Sequence, residues 1–96
     1  MNDIPELTEQ AFSRAISRKQ RKRLMDGRFE RGEDFVALRR FVGLSQARFA
    51  EALGISVYTL RNWEQGRRKP EGAAIALLRI AARHPKIVRE NLASAA

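Results

Sequence analysis

Ninety-six residues, 44% of them hydrophobic, close one small core, which excludes a multi-domain enzyme and a large internal ligand cavity. Nineteen Lys and Arg against eleven Asp and Glu leave a net charge of +8, so the expected partner is a polyanion, with nucleic acid ahead of an acidic protein surface. The absence of cysteine removes disulfides, thiolate metal sites and a cysteine nucleophile, and the single histidine, His84, removes a histidine cluster.

In chain order, residues 1–32 read as an N-terminal extension, 33–93 as an all-helical domain and 94–96 as a short tail. The extension opens acidic (Asp3, Glu6, Glu9), then carries Arg14, Arg18, Lys19, Arg21, Lys22 and Arg23 with no acid among them. Ala11, Phe12, Ala15 and Ile16 share one stripe of a short helix starting near Thr8, too short to be stable without something to pack on. Three readings stand for this segment: a solvated arm, an arm on the minor groove or phosphates of DNA, or a helix that docks a partner through Phe12 and Ile16.

In the domain, Phe35, Leu38 and Val42 give a first helix its inward face and Gly43 its stop. Ser45 caps a second helix that runs through Leu53, with Phe49, Ala50 and Leu53 on one side. Gly54 then turns the backbone sharply, and Ser56 caps a third helix that runs through about Gln65. Gly66 ends it, and Arg67-Arg68-Lys69-Pro70 forms a basic loop. Ala73 to Ala82 is a helix with Leu77 and Leu78 as core residues, and His84-Pro85 breaks it. A fifth helix follows with Ile87, Val88 and Leu92 as its apolar positions. These three residues either close the core or extend into a homodimer surface. The predicted core comprises Phe35, Leu38, Val42, Phe49, Ala50, Leu53, Leu60, Trp63, Leu77 and Leu78.

Two short helices across a glycine turn have the layout of a helix-turn-helix, whose second helix enters the major groove. Leu60, Trp63 and Glu64 share one stripe of that helix, and Val57, Tyr58, Arg61, Asn62 and Gln65 the opposite one. The outer stripe carries the chemistry that reading needs: Arg donates two bonds to guanine, Asn pairs with adenine, and Val57 and Tyr58 offer apolar contact to a thymine methyl. Gln46, at the start of the preceding helix, presents both donor and acceptor. Helix N-termini aimed at a phosphate would use Ser45, Ser56 and Thr59, and Arg67, Arg68 and Lys69 would meet the backbone directly. Trp63 shares the Leu60 face and reads as core, and His84 reads as a helix boundary.

Leu44-Ser45-Gln46-x-x-Phe49-Ala50-x-x-Leu53-Gly54-Ile55-Ser56-x-x-Thr59-Leu60-x-x-Trp63-Glu64-x-Gly66-x-Arg68-x-Pro70 resembles the Xre/Cro-type helix-turn-helix family over about residues 35 to 82. The resemblance implies a five-helix lambda-repressor-like domain behind the basic extension. It implies base reading by Val57, Tyr58, Arg61 and Asn62, a base or backbone role for Gln46, and an internal ion pair between Arg39 and Glu64. Residues 60–70, with Leu77-Leu78-Arg79 and Arg83-His84-Pro85, are similar to HigA-type antitoxins, which repress their own operon and silence a ribonuclease toxin. The expected protein is therefore a homodimeric repressor of an inverted-repeat operator in double-stranded DNA, with a cognate ribonuclease toxin as second partner.

A stand-alone repressor without a toxin is the alternative, and a helical adaptor for an acidic protein or RNA is a weaker one. An enzyme is not expected: paired acids in a cleft, a phosphate-cradling glycine loop and a nucleophile with its base are missing, and no cofactor is implied. No apolar run approaches the roughly 18 residues of a bilayer span, and the N-terminus lacks the layout of a secretion signal. The expectation is a cytoplasmic chain with no membrane partner.

Overall fold

The computed structural model describes residues 16–95, with side chains through residue 91. Six helices and no strand occur among the described residues: α1 (Arg18–Met25), α2 (Gly32–Val42), α3 (Gln46–Leu53), α4 (Val57–Glu64), α5 (Gly72–Arg83) and α6 (Pro85–Ala95). The fold is all-α as expected, with one helix more than the five predicted, because the basic run itself is helical. Phe12 and the acidic opening lie outside the described residues.

Local chemistry sets the helix starts. Ser17 Oγ accepts from the Gln20 N–H at 3.0 Å, Ser45 Oγ from Arg48 at 3.2 Å and Ser56 Oγ from Thr59 at 3.0 Å, each satisfying an N–H that has no partner in its own helix. Pro85 opens α6, where no N–H is needed. Between α3 and α4 the turn depends on Gly54, whose φ of 74° is one that a side chain resists; the Ile55 N–H then bonds back to Ala50 O at 3.0 Å.

Phe35, Leu38 and Val42 of α2 meet Phe49 and Ala50 of α3, Leu60 and Trp63 of α4 and Leu78 of α5 in one buried cluster. Leu53 is partly buried against it. Leu77 is a correction: it is 40% exposed, because the inward stripe of α5 runs through Leu78, Ala81 and Ala82 and Leu77 lies one step off it. Of the two roles open to Val88, it takes the first: at 6% exposure it closes the core and is not a free dimer position. Ile16, read as partner-facing, is likewise 6% exposed and part of the cluster.

The helix α1 is very polar, yet it is fastened firmly. Leu24 is fully buried, and the Arg21 guanidinium lies 4.7 Å over the Phe41 ring while its Nε donates to Ala82 O at 3.1 Å. In return, Arg79 and Arg83 donate to Met25 O at 3.4 and 3.3 Å, so arginines close the carbonyl ends of α1 and α5. The stronger tie is Asp34, 1% exposed, which accepts both terminal nitrogens of Arg23 at 2.8 Å, Gln20 Nε2 at 3.1 Å, and the N–H groups of Glu30 at 2.7 Å and Arg31 at 3.3 Å. Burial pushes the Asp34 carboxyl up, but the bond from Arg23 and those from Glu30, Gln20 and Arg31 overcome it and hold the group well below the usual carboxylate range.

After α1 the chain returns under α4. Phe29 stacks on Phe35 at 4.8 Å between ring centroids, and Phe35 meets Trp63 at 5.6 Å. Gly32, the first residue of α2, presses on the backbone of Glu64: a Cβ there would collide with the Glu64 carbonyl. The start of α2 thus abuts the end of α4, the helix on which the candidate site is built.

Candidate nucleic-acid interface

The two faces of α4 are chemically opposed. Leu60 and Trp63 are buried, while Tyr58 is 71% exposed and Arg61 points to solvent. Val57, expected on the outer stripe, is partly buried against the core, because the first turn of α4 folds close to α3.

Glu64 sits on the inner side with its side chain 6% exposed. It is paired as its burial demands: Arg39 Nε donates at 2.8 Å and Arg39 Nη2 at 3.4 Å, and Gln46 Nε2 adds a bond at 2.9 Å. Arg61 Nε in turn donates to Gln46 Oε1 at 3.3 Å. The chain Arg39, Glu64, Gln46, Arg61 runs from the core to the surface and fixes one side of the Arg61 guanidinium. The terminal nitrogens of Arg61 have no protein partner among the described residues. A pre-positioned arginine with two free donors is the group that bidentate recognition uses.

Asn62 departs from the expected outer stripe. It is 9% exposed, because the segment after α4 folds back and the N–H groups of Arg67 and Arg68 bond to Asn62 O at 2.9 and 3.4 Å. Its side-chain amide has no hydrogen-bond partner among the described residues. It lines a groove of about 470 Å³ with Tyr58, Thr59, Arg67, Arg68 and Lys69. A buried amide left unpaired costs about 1 to 3 kcal/mol, which a ligand able to donate and accept there would recover.

Arg67, Arg68 and Lys69 are exposed and make no ion pair among the described residues. The serine hydroxyls are already used as caps, and Ser56 Oγ also lies 3.0 Å from Thr59 Oγ1. On another side of the molecule Leu77, Ile80 and Ile87 are 40, 45 and 53% exposed around a groove floored by Leu53 and Val88. The Leu92 side chain lies outside the described residues. Missed in the sequence were the Gln46 link between Glu64 and Arg61 and the Arg23–Asp34 tie. The Asx-like signal for the second was Asp34 three residues after Arg31, at the third position of its helix. No cluster of three metal-ligating side chains occurs among the described residues, and no helix of theirs is long and apolar enough to cross a membrane.

Residues 5–91 match the family model described as the antitoxin component of a bacterial toxin–antitoxin system, MqsA. Over 54 residues the chain is 43% identical to Antitoxin HigA-2 of Vibrio cholerae serotype O1, a stretch covering 56% of this chain and 52% of that protein. The chain therefore spans about half the length of that curated relative. No solved structure matches it.

Proposed function

The chain belongs to the MqsA family of antitoxins of bacterial toxin–antitoxin systems, and from that premise we propose that it represses transcription by binding double-stranded DNA through α4. Family membership makes it a non-enzymatic regulatory protein with a cognate toxin as partner. The observation that carries the DNA-binding reading is the outer side of α4: an exposed tyrosine, an arginine held by Gln46 with two free donors, and an unpaired amide beside three unpaired cations. Tyr58, Arg61 and Asn62 read bases, Gln46 positions Arg61, Val57 supports the first turn, and Arg67, Arg68 and Lys69 hold phosphates. Ser45, Ser56 and Thr59 act at the backbone through the helix N-termini that they organise.

Two copies read an inverted repeat, with half-sites roughly 34 Å apart, as one short helix reads too few base pairs alone. The groove beneath Leu77, Ile80 and Ile87 is the surface proposed for that pairing. The toxin is proposed to be a ribonuclease, met in the cytoplasm by the part of the extension that precedes α1, while the helical body, which includes α1, carries the DNA.

A gel shift on the protein's own promoter separates the two kinds of contact. Arg61→Ala should cost on the order of 1 to 3 kcal/mol on the operator and relax the preference at a particular base pair. Lys69→Gln should weaken operator and random duplex alike and reduce the slope of log affinity against log salt by about one. If the Arg61 variant binds the operator with the affinity and selectivity of the parent, α4 is not the reading helix.

A further inference from the structure

A second cleft shares Trp63, Arg68 and Lys69 with the DNA-facing groove and is otherwise lined by different residues. It holds about 250 Å³ and is floored by Phe29, Phe35 and Trp63, Phe29 stacked on Phe35 and Trp63 tilted against Phe35. Arg31, Arg68 and Lys69 stand on its rim. The acid of the rim, Glu30, is already turned toward Arg23, 3.6 Å away. The Arg31 side chain is 72% exposed and meets only Glu33, itself exposed, at 3.5 Å. Trp63 is 5% exposed, yet its indole N–H has no hydrogen-bond partner among the described residues, a donor that buried tryptophans normally satisfy.

From an aromatic floor, a cationic rim and an unsatisfied ring donor we infer that this cleft is a binding site for a small aromatic acid, one planar ring or a fused pair bearing a carboxylate. The ring lies against Phe29, the one half-buried ring of the floor, with edge contact to Trp63, and the carboxylate meets Arg68 and Lys69. Size limits the class, because clefts that enclose drug-sized ligands run from roughly 300 to 1,000 Å³. An apolar ligand without charge leaves the rim cations unanswered, and a simple anion without a ring leaves the floor empty.

The site has a consequence for regulation, which rests on the DNA-binding reading above. Arg68 and Lys69 line both this cleft and the groove under Tyr58 and Asn62. A carboxylate held by those two side chains and a DNA phosphate draw on the same donors, so the acid and the operator oppose each other, and by linkage each weakens the other equally. Occupancy of the cleft then relieves repression.

The test uses the full chain and the indole N–H resonance of Trp63, unambiguous because the protein has one tryptophan. Benzoate should shift that resonance saturably; benzamide, isosteric but neutral, should bind roughly tenfold more weakly, and acetate should leave it unmoved. Replacing Arg68→Gln and Lys69→Gln together, both exposed and outside the core, should reduce benzoate affinity by roughly tenfold with the melting temperature unchanged. In gel shifts at matched ionic strength, benzoate should lower the affinity of the unsubstituted protein for its promoter. The site is refuted if benzoate gives no saturable shift, or if benzamide binds as well as benzoate. Benzoate binding with operator affinity unchanged refutes the competition. A protein that binds benzoate but no DNA at all refutes the DNA-binding reading instead, since the tryptophan signal is read without DNA.

Discussion

Replacing Gly32→Ala should lower the melting temperature by roughly 15 °C, corresponding to about 3 kcal/mol for a domain of this size. The added methyl would lie 2.7 Å from the carbonyl carbon of Glu64 and 3.2 Å from Trp63 O, and backbone atoms at the end of a packed helix have no rotamer to change. Either α2 retreats, opening the contacts of Phe35 with Phe29 and Trp63, or α4 shifts and carries the Arg61 side with it. Gly72 provides the control. It is also a first helical residue, but a Cβ there meets nothing within 4 Å, so Gly72→Ala should be neutral or slightly stabilising. Equal melting temperatures for the two variants would show that α2 and α4 are not pressed together as described.

The second large effect belongs to Asp34. Asp34→Ala strands the Arg23 guanidinium, whose side chain is 21% exposed, and two backbone N–H groups, and should cost about 3 to 5 kcal/mol in chemical denaturation. Replacing both partners, Arg23→Met with Asp34→Leu, should recover part of that loss, because an apolar pair leaves no orphaned charge. The pH dependence has a definite sign. The folded carboxyl titrates below its unfolded value, so its stabilisation is complete above the unfolded carboxylate pKa of about 4 and drains away as pH falls below it toward the folded value. Stability measured from about pH 7 down to about pH 3 should therefore fall in the parent and fall less steeply in Asp34→Asn. Parallel pH profiles for the two proteins would mean that Asp34 is not held ionised by Arg23.

The sequence was most legible where one local signal sufficed. Serine caps at Ser45 and Ser56, the glycine at Gly54 and the i, i+3, i+7 spacing of Phe35, Leu38 and Val42 each determine a helix end or face by themselves, and these elements lie where their signals put them. α1 was invisible for the opposite reason. Its eight residues carry one buried leucine among arginines and lysines, and it is held by carbonyl caps, the Phe41 ring and Asp34, all supplied by segments distant in sequence. The candidate site divides in the same way. Tyr58 and Arg61 stand outside because helical periodicity places them there. Asn62 shares that period but is covered by a loop that folds back onto its own carbonyl, which no periodicity within the helix encodes. Leu77 lies outside and Leu78 inside because adjacent apolar residues on a helix leave a choice that only the neighbouring helix resolves.

Amide chemical-shift mapping of the isotopically labelled protein with a duplex from its own promoter reads the α4 interface residue by residue. Shifts should concentrate on Tyr58, Arg61 and Asn62 and on Arg67, Arg68 and Lys69, and a random duplex should perturb the second group far more than the first. Shifts confined to the face bearing Leu77, Ile80 and Ile87, or an unchanged α4 at saturating duplex, would contradict base reading by α4.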